Sequence, residues 1–118
     1  MDNEEMLARL RTQFNKPPDP PLEATRKFLE SYCLDETNME SLRADIRYMA
    51  GVNTITLRAG LAGIEGLLTN PPAEEGALLS LIINNTPKVL NDPTDAGARA
   101  WLEEIAQVLR EELDRVSH

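Results

Sequence analysis

Apolar residues recur at every third or fourth position along most of this chain, and prolines and glycines divide the pattern into segments. This spacing places the apolar side chains on one face of an α-helix. The sequence contains no sustained alternation of apolar and polar residues of the kind that indicates β-strands. The pattern therefore predicts an all-α protein, a compact single-domain bundle of five to seven helices over residues 1–118. The helix pairs between prolines also fit stacked helical hairpins.

Helix boundaries follow from capping residues and helix breakers. A first helix is predicted over residues 2–15, before the prolines within residues 17–21. Asp19 is the predicted cap of a second helix, and Thr37 with Glu40 forms a capping box that opens a third. The apolar side of the second helix is formed by Leu22, Thr25, Phe28, Leu29, Tyr32 and Cys33.

The fourth predicted helix carries glycines at three-residue spacing. It begins at Asn53 or Thr54, and Gly60, Gly63 and Gly66 lie on one stripe of its surface. Each glycine costs the helix up to about 1 kcal/mol relative to alanine. Because a stripe without side chains lets a neighbouring helix approach closely, we predict a packing face here.

The remaining residues predict one buried helix, one short turn and one long helix. Residues 73–84 are the most apolar segment and are predicted to form the buried helix. Thr86 and the proline after it predict a short helical turn over residues 87–90, and Asp92 is predicted to open the longest helix. The apolar positions of that last helix have a heptad-like spacing: Ala98, Trp101, Leu102, Ile105, Val108, Leu109, Leu113 and Val116.

Negative charge accumulates in the second half of the chain. The 20 acids and 12 bases give a formal charge of −8. Residues 1–60 hold 10 acids and 8 bases, whereas residues 61–118 hold 10 acids and only 4 bases. This surplus opposes nucleic-acid binding, which depends on neutralising phosphates, and it favours a basic protein partner. A role in solubility alone would also account for the acidity.

The residues that usually carry catalysis are scarce. The single histidine, His118, ends the chain, and the single cysteine, Cys33, lies on an apolar helix side before Asp35 and Glu36. Cys33 is interpreted as a buried structural thiol, because a reactive thiolate needs a basic or helix-start environment. The paired carboxylates lack the Glu-x-x-His motif of di-metal bundles. We predict no catalytic residue, no metal site and no cofactor, and hence a protein that is not an enzyme.

The same sequence predicts a cytoplasmic location. No apolar run reaches the roughly 20 residues that span a bilayer, and the N-terminal residues lack a signal-peptide pattern. A single cysteine cannot form an internal disulfide. We therefore predict a cytoplasmic protein without a membrane partner, and the sequence leaves its oligomeric state open.

A series of short motifs runs through residues 41–83. The motifs are Leu42-Arg43, Gly51-Val52-Asn53, Ile64-Glu65-Gly66-Leu67-Leu68, Asn70-Pro71, Glu75-Gly76 and Leu78-Leu79. This series resembles a family of small bacterial immunity proteins from contact-dependent growth inhibition systems. The resemblance implies a non-enzymatic cytoplasmic antidote that binds the toxin domain of a cognate secreted protein, in many cases a basic nuclease.

On this hypothesis the contact residues lie mainly in the acidic second half of the chain. The candidates are six acids and two aromatic anchors: Glu74, Glu75, Asp92, Asp95, Glu103, Glu104, Tyr48 and Trp101. Each acid is also explained as a solvated cap or surface residue, and Trp101 also fits the apolar stripe of the last helix. The alternative hypothesis is an acidic helical structural or adaptor module, which acts through self-association or docking of residues 98–116.

Overall fold

Five helices make up the secondary structure of the described residues. The computed structural model describes residues 19–33, 38–88 and 90–117. The helices are α1 Pro21–Tyr32, α2 Met39–Ala50, α3 Ile55–Thr69, α4 Ala77–Asn85 and α5 Asp95–Val116, and no strand occurs in these ranges. They share one hydrophobic core, which confirms the predicted all-α bundle. The helix predicted over residues 2–15 and the capping residue Thr37 lie outside the described ranges.

The central element of the core is α5. It packs against α2, α3 and α4, while α1 packs mainly against α3. The buried residues of α5 are Ala98, Trp101, Leu102, Ile105, Ala106, Val108, Leu109, Glu112 and Leu113. This set contains every residue of the predicted apolar face except Val116, which is 44% exposed, and it adds Ala106 and Glu112. No described helix, α5 included, is both long and apolar enough to cross a membrane.

The helices α1 and α3 approach each other closely along the glycine stripe, which confirms the predicted packing face. A Cβ atom built on Gly63 would lie 2.7 Å from Ala24 Cβ and 3.0 Å from the backbone N of Thr25. A Cβ atom on Gly60 would lie 2.5 Å from Cδ2 of Phe28. Because carbon atoms in contact lie about 3.5–4.0 Å apart, a side chain at either glycine would push α1 away from α3.

The first two described helices begin differently from the prediction. Asp19 does not cap α1, because Pro20 is the N-cap residue and Asp19 Oδ2 accepts a hydrogen bond from Lys27 Nζ at 2.8 Å. Pro21 at the first helical position has no N–H, so one donor that a cap would satisfy is missing. The N-cap of α2 is Asn38, whose side chain accepts hydrogen bonds from two backbone N–H groups of the first turn.

The segment before α5 contains less helix than predicted. Helix α4 begins at Ala77 rather than at residue 73, after a turn in which Gly76 adopts a φ of 82°, a conformation that favours glycine. The predicted turn over residues 87–90 is wrong, since 87, 88 and 90 are not helical. The Thr86 hydroxyl instead donates to Ile82 O at 3.0 Å and accepts from the backbone N of Lys88 at 3.1 Å, which closes α4.

Burial of α4 is only partial, although its segment is the most apolar in the sequence. Leu78, Leu81 and Ile82 are buried, but Ile83 is 58% exposed. The prediction that this segment is the buried helix is therefore correct for one face only. The longer α5 supplies more of the core because it contacts three other helices.

Cys33 is fully buried at the end of α1. Burial raises the pKa of its thiol to about 12, because the thiolate is poorly solvated there. This burial confirms the interpretation of Cys33 as a structural thiol.

A buried carboxylate joins α2 to α5. Glu112 is 1% exposed, and its Oε1 accepts a hydrogen bond from Arg47 Nε at 2.8 Å. Arg43 and Arg115 lie farther from the Glu112 carboxylate, at 3.9 and 3.8 Å, and Arg43 pairs with the neighbouring Glu111 at 2.9 Å. The hydrogen bond from Arg47, together with the charges of the other arginines, holds the pKa of Glu112 below its ordinary value.

Acid is expected to weaken the ion pair through which Glu112 connects α5 to α2. Because the folded pKa of Glu112 lies below its ordinary value of 4.5, its ionised carboxylate stabilises the fold fully above that value, and the contribution is lost as pH falls through the folded pKa. At pH 7, Glu112→Gln should lower the free energy of unfolding by about 2 kcal/mol, as is typical for hydrogen bonds to charged groups. Urea unfolding at a series of pH values measures this difference.

A matched control for Glu112→Gln is Glu103→Gln, which removes a carboxylate from an exposed pair with Arg99. Exposed pairs contribute about 0–1 kcal/mol, so this variant should unfold almost like the wild type at every pH. If the free energies of unfolding of Glu112→Gln and the wild type differ by the same amount from neutral to acidic pH, the lowered pKa of Glu112 is contradicted.

Candidate functional site

Asp95, the first residue of α5, caps α4 from 19 positions further along the chain. Its Oδ2 accepts a hydrogen bond from Gly76 N at 2.7 Å, and its Oδ1 accepts one from Leu79 N at 3.1 Å. Gly76 is the N-cap residue of α4 and has no side chain for this purpose. A carboxylate at a helix N-terminus satisfies free N–H groups and is favoured by the helix dipole. These two bonds hold the turn that carries Glu74 and Glu75 against the start of α5.

The loop before α5 folds back onto the first turn of that helix. The N-cap of α5 is Thr94, so the prediction that Asp92 opens this helix is wrong. Instead, Asp92 Oδ1 accepts a hydrogen bond from the Thr94 hydroxyl at 2.9 Å, and Asp92 O accepts one from Thr94 N at 2.9 Å. The carbonyl oxygen of Asp92 occupies the space that a Cβ atom on Gly97 would need. Asp92 is therefore held close to Asp95, at the same end of the molecule.

A groove of about 330 Å³ lies beside this loop, and its lining includes Asp92, Glu104 and Trp101. Trp101 is only 5% exposed, so it contributes a wall of the groove from the core and does not project as an anchor. Lys88 also lines the groove, with its Nζ 6.0 Å from the centroid of the Trp101 ring. That distance is the outer limit of a cation–π contact.

The structure brings five of the six predicted acids to one end of the molecule. We call this surface the acidic end, and it consists of Glu74, Glu75, Asp92, Asp95 and Glu104. None of these carboxylates pairs with a lysine or arginine of the described ranges. Even with Lys88 nearby, carboxylates outnumber bases among the described residues of this surface, so its negative charge is available to an external cation.

Most described arginines, in contrast, are matched by carboxylates of the chain itself. The arginines with such ion pairs are Arg26, Arg43, Arg47, Arg99, Arg110 and Arg115. The predicted contact residue Glu103 belongs to this group, because its Oε1 accepts a hydrogen bond from Arg99 Nε at 3.2 Å. Glu103 is adjacent to Glu104 but is not counted in the acidic end, because Arg99 matches its charge.

Tyr48 lies far from the acidic end. It is 74% exposed on the last turn of α2. Its neighbour Arg47 bonds to Glu112, which is 17 positions after Asp95 on α5, or about 25 Å along the helix axis. A partner that contacts both Tyr48 and the acidic end would have to span most of α5.

The apolar face of α5 is buried against other helices of the same chain. Ile105 and Leu109, at the middle of this face, are both 0% exposed. The adaptor hypothesis assigns self-association or docking to the same face. In the folded protein that face is covered by α2, α3 and α4, so it presents no surface to a second chain.

Two features of the surface and core were missed by sequence reasoning. Glu112 lies seven positions after Ile105, so the heptad spacing marks it as a core position, and an acid there signals a buried ion pair. Leu22 was assigned to an apolar helix side, but it is 47% exposed and lines a groove between α1 and α4. No sequence signal marks Leu22, because its exposure depends on where α4 packs.

Comparison of the chain with protein-family models, curated proteins and solved structures gives no match. The resemblance to immunity proteins therefore depends on the motifs in residues 41–83, which the structure places in α2, α3, α4 and their connections. Among the described residues, no three His, Cys, Asp or Glu side chains are grouped so that they could hold a metal ion.

Proposed function

We propose that this protein is a non-catalytic immunity protein that binds and neutralises the toxin domain of a cognate secreted protein. The observation that carries this proposal is the acidic end, whose carboxylates have no lysine or arginine partner in the described ranges. Two backbone N–H groups hold the carboxylate of Asp95 in place there. The motif resemblance in residues 41–83 supports the same function. The partner surface is basic, as in a nuclease that binds phosphates.

The acidic end suits a basic surface for two physical reasons. Attraction between opposite charges raises the association rate, and close pairs between desolvated charges provide specificity. Asp95 already bonds to two backbone N–H groups and Asp92 to Thr94, so little conformational freedom is lost on binding. A nuclease must present cations to phosphates, and carboxylates that cover those cations would exclude its substrate.

The direct test is calorimetric titration with the C-terminal domain of the protein encoded by the adjacent gene, which this proposal predicts to be a large exported protein. We expect nanomolar affinity that weakens as salt is added, because salt screens the charge pairs. Nuclease assays of the same domain, with and without this protein, measure neutralisation. Absence of binding at micromolar concentrations would contradict the immunity function for that neighbour.

Reversal of charge at the turn before α4 is expected to abolish most of this affinity. Glu74→Lys/Glu75→Lys should raise the Kd at least about 100-fold, since close charge pairs couple by about 1.5–7 kcal/mol at protein interfaces. Both side chains are exposed and neither caps a helix, so the fold should persist. Calorimetry and thermal unfolding measure the two effects.

A control variant with the same change in net charge is Glu40→Lys/Asp45→Lys. Both acids are exposed on α2, and neither pairs with a base in the described part of the chain. A general dependence on net charge would weaken binding equally in both double variants. A contact at the acidic end predicts a large loss only for Glu74→Lys/Glu75→Lys, and equal losses would contradict it.

A further inference from the structure

A groove of about 340 Å³ runs between α1 and α4, and its lining includes Glu74 and Glu75 of the acidic end. Leu22 lines it from α1, and Ser80 and Asn84 line it from α4. We propose that this groove receives a basic amphipathic segment of the toxin domain. The cationic groups of that segment would contact Glu74 and Glu75, and its apolar carbons would contact Leu22. This inference rests on the proposed function and names the surface that performs it.

Leu22 supplies the apolar part of this surface. Its side chain is 47% exposed, whereas Leu81, which lines the same groove, is 7% exposed and belongs to the core. A single exposed leucine is common on protein surfaces, but Leu22 shares its groove with Glu74 and Glu75, which pair with no lysine or arginine of the described ranges. The aliphatic stems of lysine and arginine pack on apolar side chains while their charged ends reach outward. A segment with such residues matches both parts of the groove.

Arg26 also lines the groove, but its charge is neutralised within the chain. Its Nε donates to Glu23 Oε2 at 3.0 Å, and its Nη1 donates to Glu30 Oε1 at 2.7 Å. The hydrogen bonds to Glu23 and then to Glu30 raise the pKa of Arg26. Arg26 is therefore not the partner of Glu74 or Glu75, and the groove keeps a negative balance. This charge favours a cationic occupant over an acidic one.

The α4 wall of the groove offers hydrogen-bonding groups. Ser80 and Asn84 are exposed and lie four positions apart, so their hydroxyl and amide groups share one helix face. They can bond to the backbone or polar side chains of a bound segment. A second copy of this chain is a poorer occupant, because it would bring a formal charge of −8 toward the carboxylates of Glu74 and Glu75.

Two variants of the groove, each with a matched control, test the inference. Leu22→Ala removes the apolar contact without a change of charge, and its control is Val52→Ala, at a residue 66% exposed between α2 and α3. Asn84→Arg places a cation in the groove, and its control is Gln107→Arg on the exposed face of α5. The Kd for the toxin domain from the adjacent gene is measured by calorimetry at several salt concentrations.

Each substitution is expected to leave a distinct signature in the Kd. Leu22→Ala should raise the Kd about tenfold with an unchanged dependence on salt, because only an apolar contact is lost. Asn84→Arg should raise it about 30-fold, because the new cation repels a basic segment. Both controls should bind within about twofold of the wild type, and thermal unfolding shows that all four variants fold.

Three results would overturn the inference, and they are distinguishable. If Leu22→Ala and Asn84→Arg bind like the wild type while Glu74→Lys/Glu75→Lys does not, the groove is unused and the proposed function remains. If the wild type does not bind the toxin domain, the proposed function fails and this inference fails with it. If sedimentation shows a wild-type dimer that Leu22→Ala dissociates, the occupant is a second copy of this chain.

Discussion

Ile105→Asp is expected to leave the protein unfolded, and not to release a folded monomer from a dimer. Ile105 is 0% exposed in the middle of α5, and a carboxylate buried without a partner costs several kcal/mol. Domains of this size are stable by only about 5–15 kcal/mol, so a loss of more than about 5 kcal/mol unfolds a protein at the lower end of that range. Circular dichroism with urea titration measures the free energy of unfolding, and sedimentation velocity measures the oligomeric state.

Gln107→Asp is the matched control for Ile105→Asp. It adds the same side chain two positions along α5, at an exposed site. It removes the hydrogen bond from Gln107 Nε2 to Glu111 Oε1 and places a like charge four positions from Glu111, which costs about 0.2–0.5 kcal/mol. This variant should therefore unfold within about 1 kcal/mol of the wild type. A folded, monomeric Ile105→Asp variant beside a dimeric wild type would contradict the buried α5 face and would support the adaptor hypothesis.

Gly63→Ala is expected to destabilise the protein by about 3 kcal/mol, at the upper end of the usual cost of overpacking. The new methyl group would lie 2.7 Å from Ala24 Cβ and 3.0 Å from the backbone N of Thr25. A flexible side chain could move aside, but the backbone of α1 cannot do so without separating from α3. Urea unfolding of the variant and the wild type measures the difference in free energy.

Gly51→Ala is a glycine substitution without this collision. The nearest atom to a Cβ at Gly51 is Tyr48 O at 3.5 Å, which is an ordinary contact, and its backbone is right-handed helical. Alanine is a better helix former than glycine, so Gly51→Ala should be neutral or slightly stabilising. Equal losses at Gly51 and Gly63 would show that α1 and α3 do not depend on their close approach.

The sequence predicted those features of the fold that depend on residues close together in the chain. The apolar spacing correctly predicted α2, α3 and α5, and the spacing of Gly60, Gly63 and Gly66 correctly predicted a packing face. Helix starts were less predictable, because a cap can come from a distant part of the chain. Asp95 caps α4 from 19 positions away, and no local pattern around Gly76 contains that information.

The sequence predicted most residues of the candidate site, but it did not predict which of them lie together. The excess of acids in the second half of the chain correctly indicated the residues of the acidic end. It also indicated Glu103, which instead pairs with Arg99 on the same face of α5. Leu22 was missed because its exposure results from the packing of α4 against α1. Which acids lack a cation is a property of the assembled helices.

The bonds of Asp95 separate the residues that hold the scaffold from those that, under the proposed function, contact the partner. They end on the backbone N–H groups of residues 76 and 79, and backbone groups are present whatever side chains stand at positions 74 and 75. A library randomised at those two positions should therefore retain folded members throughout. Under the proposed function, point substitutions at these positions would change the partner while the fold is kept. Binding specificity would then evolve faster than the structure.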